Sequence, residues 1–290
     1  MERARKIKHF NQEKAMRLVF LLAASTSVLA VALICIFLFA GGLPTIAQIG
    51  VKEFLTGTEW KPTNNIYGIL PMIAGSVAVT LGAIVIGVPI GIFCAAFLAY
   101  FCPAKLYGLL KPAIELLAGI PSVVYGFFGI VVIVPIIRSL FGVSGTSLLA
   151  ASILLGIMIL PTIIGISEAA LRAVPQSYYE GALALGASHE RSVFLSVLPA
   201  AKSGIAAAIV LGLGRAIGET MAVVMVAGNQ PWLPQGILLG VRTLTANIVL
   251  EMGYAADLHR QALIATAVVL FIFILLINLT FSILKRRAGQ

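Results

Sequence analysis

The chain has 290 residues, 60% hydrophobic and only 11% charged, with a formal net charge of +9 and a mean hydropathy of +1.06. That apolar content exceeds what a water-soluble chain of this length can bury, so the composition excludes a soluble enzyme and indicates an integral membrane protein. The excess of cations follows a membrane-topology pattern rather than a nucleic-acid-binding one, and no nucleic-acid partner is expected.

Residues 1–17 form a cationic head carrying Arg3, Arg5, Lys6, Lys8, Lys14 and Arg17. A membrane span needs roughly 20 mostly apolar residues. Six stretches qualify, at about 18–40, 69–100, 112–137, 148–167, 203–228 and 261–284. None shows the alternation of a transmembrane strand, so the expected fold class is an all-α membrane protein of six transmembrane helices. The first span, 18–40, is longer than a signal-peptide core of about 7–15 residues and reads as an uncleaved anchor. Residues 41–68 form an external loop with a short interfacial helix expected at 45–56. Residues 69–284 form the core, interrupted by a polar loop at 172–200. Within it, 229–260 is a second external segment whose stretch GILLGVRTLTANIVLEM has near-helical spacing, expected on the membrane surface or against a partner. Residues 285–290 are a charged tail.

Six spans place both termini on one side. That side also holds Lys105, Lys111, Arg172, Arg191, Lys202, Lys285, Arg286 and Arg287, against Lys52, Lys61, Arg138, Arg242 and Arg260 opposite. The positive-inside rule therefore predicts cytoplasmic termini and a cytoplasmic 168–202 loop. Gly87-x-x-x-Gly91 and Gly214-x-x-x-Gly218 are spacings that let helices approach closely, and Pro71, Pro89, Pro121, Pro135 and Pro161 can bend or break theirs. Cys35, Cys94 and Cys102 lie in or beside spans and read as packing residues rather than a disulfide framework or metal site.

No chemistry of the chain's own is indicated. A G-x-x-x-x-G-K-[ST] loop is missing from the sequence, so ATP, if used, is bound by another chain. His9, His189 and His259 are scattered, and no metal, cofactor or catalytic residue is expected. Arg215 and Glu219 are four apart within the fifth span and are expected on one helix face. A charge in hydrocarbon is costly and normally faces a bundle interior or wet pathway. Either the two form a structural ion pair, or they line a route. On a route, Arg215 would offer a planar fork to an oxyanion and Glu219 would accept a hydrogen bond from a protonated one. Such a carboxylate favours phosphate, which keeps a proton at neutral pH, over sulfate, which keeps none. Glu115 is either a further pathway group or an interfacial carboxylate near a helix start. Ser122 and Tyr125, after the break expected at Ile120-Pro121, are wall or packing residues.

Between Glu180 and Pro199 the sequence EGALALGASHERSVFLSVLP is too polar for lipid. Gly186 permits a turn there and Pro199 interrupts helical bonding, so two short helices meeting at a bend are expected. Tyr178, Tyr179, Leu183 and Leu185 give an amphipathic turn suited to a partner's groove. The segment resembles the cytoplasmic coupling (EAA) loop of ABC importer permeases, with Glu180, Ala182, Gly186, Leu198 and Pro199 matching the pattern. Gly181 and Ser196 depart from it.

Taken with ELLAGIPSVVYGFFG at 115–129 and GLGRAIGETMAVVMVAGN at 212–229, the chain resembles the permeases of phosphate-specific ABC importers over roughly residues 66–284. The last stretch is similar to the C-type subunit rather than its A-type paralogue. The resemblance implies a type I importer permease fold without catalytic activity. It also implies a homologous A-type permease, two ATP-binding subunits and an extracytoplasmic phosphate-binding protein as partners. It places the chain as a multi-pass protein in the plasma (inner) membrane of a prokaryote. The ATPases would then be gripped by Tyr178, Tyr179, Glu180, Ala182, Leu183 and Gly186. Rival readings are an A-type or other-oxyanion (sulfate or molybdate) permease, and an ion-coupled secondary transporter. The latter leaves the polar loop without a purpose.

Overall fold

The structure is a computed structural model that describes residues 2–288. The outermost residues of the expected head and tail, 1 and 289–290, lie outside the described residues, as do the side chains of most of the terminal cations. Helix α1 runs unbroken over Glu2–Ile49 with Pro44 inside it, absorbing the expected span and the start of the expected interfacial helix. Gly50, at φ +99°, ends it, and α2 follows at Val51–Thr56. A two-residue antiparallel hairpin pairs β1 (Trp60–Lys61) with β2 (Ile66–Tyr67). The remaining helices are α3 (Leu70–Phe101), α4 (Ala104–Gly119), α5 (Ser122–Phe141), α6 (Leu148–Arg172), α7 (Gln176–Ala184), α8 (His189–Ala200), α9 (Lys202–Gly218), α10 (Met221–Val226), α11 (Leu244–Met252) and α12 (Asp257–Ala288).

Among the described residues, five helices are long and apolar enough to cross a membrane: α1, α3, α5, α6 and α12. A sixth span results if α8 and α9, bent by 71° at Ala201, are taken as one. Two spans differ from expectation. The third does not run over 112–137, because Pro121 lacks an amide and forces Ile120 into extended geometry. α4 is therefore a separate helix with no buried residue, and the crossing helix starts ten residues later than expected, at Ser122. The fifth does not continue over 203–228 either. α9 stops at Gly218, Glu219 is extended at φ −71° and ψ 128°, and the short α10 resumes at Met221.

α6 is the axis of the bundle, and small residues set how closely its neighbours approach. A Cβ on Gly87 of α3 would meet the Gly156 carbonyl and Ile159 at 2.8 Å. Gly91 and Gly212 press on Ile163 in the same way, bringing α3 and α9 onto α6. Leu154, Leu155, Met158, Ile159 and Ile163 are buried there. α1 instead leans on α12 through Gly41 and Gly42 against Ile264 and Val268. Its outer face is apolar and exposed, as lipid requires. α11, expected on the membrane surface or against a partner, buries Leu244, Thr245, Ala246, Asn247 and Glu251 within its own chain.

Candidate substrate pathway and coupling loop

Two helix breaks face each other beside α6. At the first, the Glu219 carboxylate accepts the backbone amides of Thr220 at 3.1 Å and Ala222 at 3.2 Å, capping α10. The Glu219 carbonyl accepts the Thr245 hydroxyl from α11 at 3.3 Å. Backbone groups freed by the break thus find internal partners, the condition for non-helical chain at membrane depth. Arg215, on the last turn of α9, is half-buried and donates to Thr162 Oγ1 of α6 at 3.5 Å. The expected shared helix face of Arg215 and Glu219 is not present, because the helix ends between them. Among the described residues no ion pair joins them, which removes the structural-pair reading.

At the second break, Tyr125 of α5 is buried and its hydroxyl donates to the Leu117 carbonyl near the end of α4 at 2.8 Å. Ser122 is half-buried one turn before Tyr125 on the same helix. Gly126 lets α5 close on α10, where an added Cβ would lie 3.1 Å from the Ala222 backbone. Leu117, Ile120, Val124, Tyr125, Phe128 and Ile157 line an apolar cavity of about 310 Å³. Tyr125 and Ser122 therefore share the α4–α5 break, while Arg215 sits at the α9–α10 break beside Thr162 of α6. The Glu115 side chain is 66% exposed, sits 3.7 Å from Lys111, and lines an open cavity with Leu117, Ile120 and Pro121.

The expected bend of the polar loop is present between α7 and α8. Gly186 takes φ +86°, a value that disfavours any residue with a Cβ, and nothing lies within 4 Å of where one would sit. The amides of Gly186 and Ala187 bond back to Leu183 and Ala182, closing α7, and Ser188 caps α8. Tyr178, Glu180, Leu183 and Leu185 are exposed, Leu185 at 91%, while Ala182 is half-buried. Tyr179 faces inward instead of outward. Its hydroxyl meets His189 Nδ1 at 2.6 Å, and its ring lies 5.7 Å from Tyr100 at the end of α3. Phe101 packs edge-on to His189 at 4.5 Å. Ser196, which departs from the loop pattern, donates to the Tyr178 carbonyl at 3.0 Å and so ties α8 to α7.

Two buried carboxylates were missed from sequence. Glu168 of α6, 2% exposed, accepts Tyr107 Oη and Lys111 Nζ at 2.8 Å and Arg172 Nε at 2.9 Å. The bond to Glu168 raises the Lys111 pKa, so the ammonium stays charged. On the opposite end of the bundle, Glu251 of α11 accepts Trp60 Nε1 at 2.8 Å and Arg242 Nη1 at 2.6 Å, and meets His259 Nε2 at 2.8 Å. That carboxylate pins the hairpin and α12 to α11. Arg172, four residues after Glu168, was the available hint for the first cluster. Nothing adjacent in sequence signals the second.

Residues 87–290 match the family model described as "Binding-protein-dependent transport system inner membrane component". The chain is 43% identical to a probable ABC transporter permease protein, YqgH, of Bacillus subtilis, over 90% of this chain and 88% of that one. It is 35% identical to the phosphate transport system permease protein PstC of Mesorhizobium japonicum, over 84% and 81% of the two chains. With PstC of Haemophilus influenzae identity is 33%, over 91% of each. Among solved structures, an inward-facing MetNI methionine ABC transporter shares the fold at TM-score 0.59 and 22% identity, covering 80% of this chain and all of that one. The chain belongs to the family of binding-protein-dependent transport system inner membrane components.

Proposed function

We propose that the chain is one of two permease subunits of an ATP-driven importer of inorganic phosphate. It forms half of the translocation pathway and has no catalysis of its own. The observation that supports this most is the outward-presented α7–Gly186–α8 bend, clamped at its base by Tyr179 and His189, in a chain related to phosphate transport system permeases. A solitary ion-coupled carrier has no use for such a projection. Tyr178, Glu180, Ala182, Leu183 and Gly186 dock on a separate ATPase, and Tyr179 anchors the loop to α3. The partners are an A-type permease, two ATP-binding subunits and an extracytoplasmic phosphate-binding protein. The site is the plasma (inner) membrane of a prokaryote, with both termini cytoplasmic.

Arg215 supplies the positive end of the pathway. Placing an arginine at membrane depth costs about 2.5–3.5 kcal/mol, and a passing oxyanion offsets that cost only while bound. Glu219 holds the α9–α10 break with one carboxylate oxygen and faces the proton of the anion with the other. Tyr125 and Ser122 form the neutral wall.

Whole-cell uptake tests the reading. Cells lacking other phosphate transport but producing this chain with its partners take up labelled phosphate, lose that uptake on ATP depletion, and are not inhibited by excess sulfate. Uptake that survives ATP depletion, or that sulfate abolishes, refutes it.

A further inference from the structure

The pathway wall and the coupling loop lie at the two ends of α4, and one buried carboxylate controls how that helix is held. α4 begins three residues after Phe101, which packs on His189 of the loop. It ends where the Leu117 carbonyl receives the Tyr125 hydroxyl of α5. No residue of α4 is buried. Among the described residues, the side-chain hydrogen bonds tying α4 to α6 come from Tyr107 and Lys111, one turn apart, and both end on Glu168. The remaining bond to Glu168 comes from Arg172, the last residue of α6. Arg172 also donates to the Leu98 carbonyl of α3 at 2.8 Å and stacks 4.9 Å over the Tyr107 ring. α4 and the end of α6 therefore meet at a single carboxylate, and Arg172, just before the loop, links that carboxylate to the end of α3.

We infer that Glu168 is a positioning residue for transport: it transmits movement of the α7–α8 loop to the α4–α5 break by holding α4 as a lever. This rests on the proposed function, since the movement is supplied by the ATPase. Apolar contacts alone would let α4 slide, whereas a buried carboxylate with three donors has discrete bonded arrangements. A second acceptor for Lys111 is already within reach. Lys111 lies 2.8 Å from Glu168 and 3.7 Å from Glu115, its neighbour one turn along α4. When the loop pulls on Arg172, Lys111 passes to Glu115 and Glu168 keeps Arg172, so no charge is left bare. α4 then pivots at Ile120-Pro121 and moves the Leu117–Tyr125 contact. Glu115 acquires a role here that is not substrate binding.

The test is phosphate moved per ATP hydrolysed by the complete reconstituted complex. The wild-type complex serves as the separate check, because failure of wild type to import phosphate refutes the proposed function and not this step. Tyr107→Phe and Lys111→Met are expected to assemble and hydrolyse ATP normally while the ratio falls about fivefold. Glu168→Gln falls further, and Glu168→Asp partly restores it. A ratio equal to wild type in Tyr107→Phe and Lys111→Met overturns the inference. So does uptake that falls only in step with hydrolysis and with the amount of assembled complex, which marks a merely structural role. Should Glu168→Gln fail to assemble, the ratios of the two milder variants decide.

Discussion

At the scale of single residues, Arg215 and Glu219 do different physical work although four positions separate them. Glu219 caps α10 through two backbone amides, so Glu219→Ala removes a cap worth about 1 kcal/mol and lowers the melting temperature by about 2–4 °C. Glu219→Gln keeps an accepting oxygen and melts as wild type, yet loses the preference for phosphate over sulfate in competition uptake. An unchanged preference would remove Glu219 from the substrate's surroundings. Arg215→Lys keeps the charge but not the planar fork. Its apparent affinity for phosphate is expected to weaken about tenfold, with unaltered assembly, in uptake measured against phosphate concentration. Arg215 stands out in sequence because a cation interrupts an apolar run. Glu168 was not, since it sits at the end of a span where a carboxylate reads as interfacial. Its partners on α4 are 57 and 61 residues away, and only the fold reveals them.

At the scale of elements, the proposed pathway and docking residues sit at helix ends, and hydropathy is blind to those ends. Averaging over about 20 residues merged α4 with α5 and α9 with α10. Pro121 and the extended Glu219 set the real ends. The loop was more legible, because glycine in a polar stretch has a steric meaning. Gly186→Ala would force a Cβ into φ +86° in otherwise open space, so strain of about 1–2 kcal/mol is its main effect. Binding of the ATPase subunits is then expected to weaken about fivefold or more, while the melting of the isolated permease is little changed. Equal affinity in a pull-down titration would show that the bend is not what the partner grips. Tyr179 shows the limit of pattern reading: amphipathic spacing put it on the docking face, but His189 and Tyr100 draw it inward.

At the scale of the whole molecule, the chain is a bundle whose spanning helices expose broad apolar faces. Composition alone made the membrane class legible, and the charge distribution suggested which side is cytoplasmic. Neither could show that two carboxylate hubs fasten opposite ends of the bundle. Such an arrangement suits a part that is moved by something else. The most direct measurement is therefore accumulation of labelled phosphate in proteoliposomes, with the ATP-binding subunits present or omitted. The account predicts ATP-dependent accumulation with the full set of subunits and none without the ATPase. Accumulation of phosphate by this chain in vesicles lacking any ATPase would contradict it.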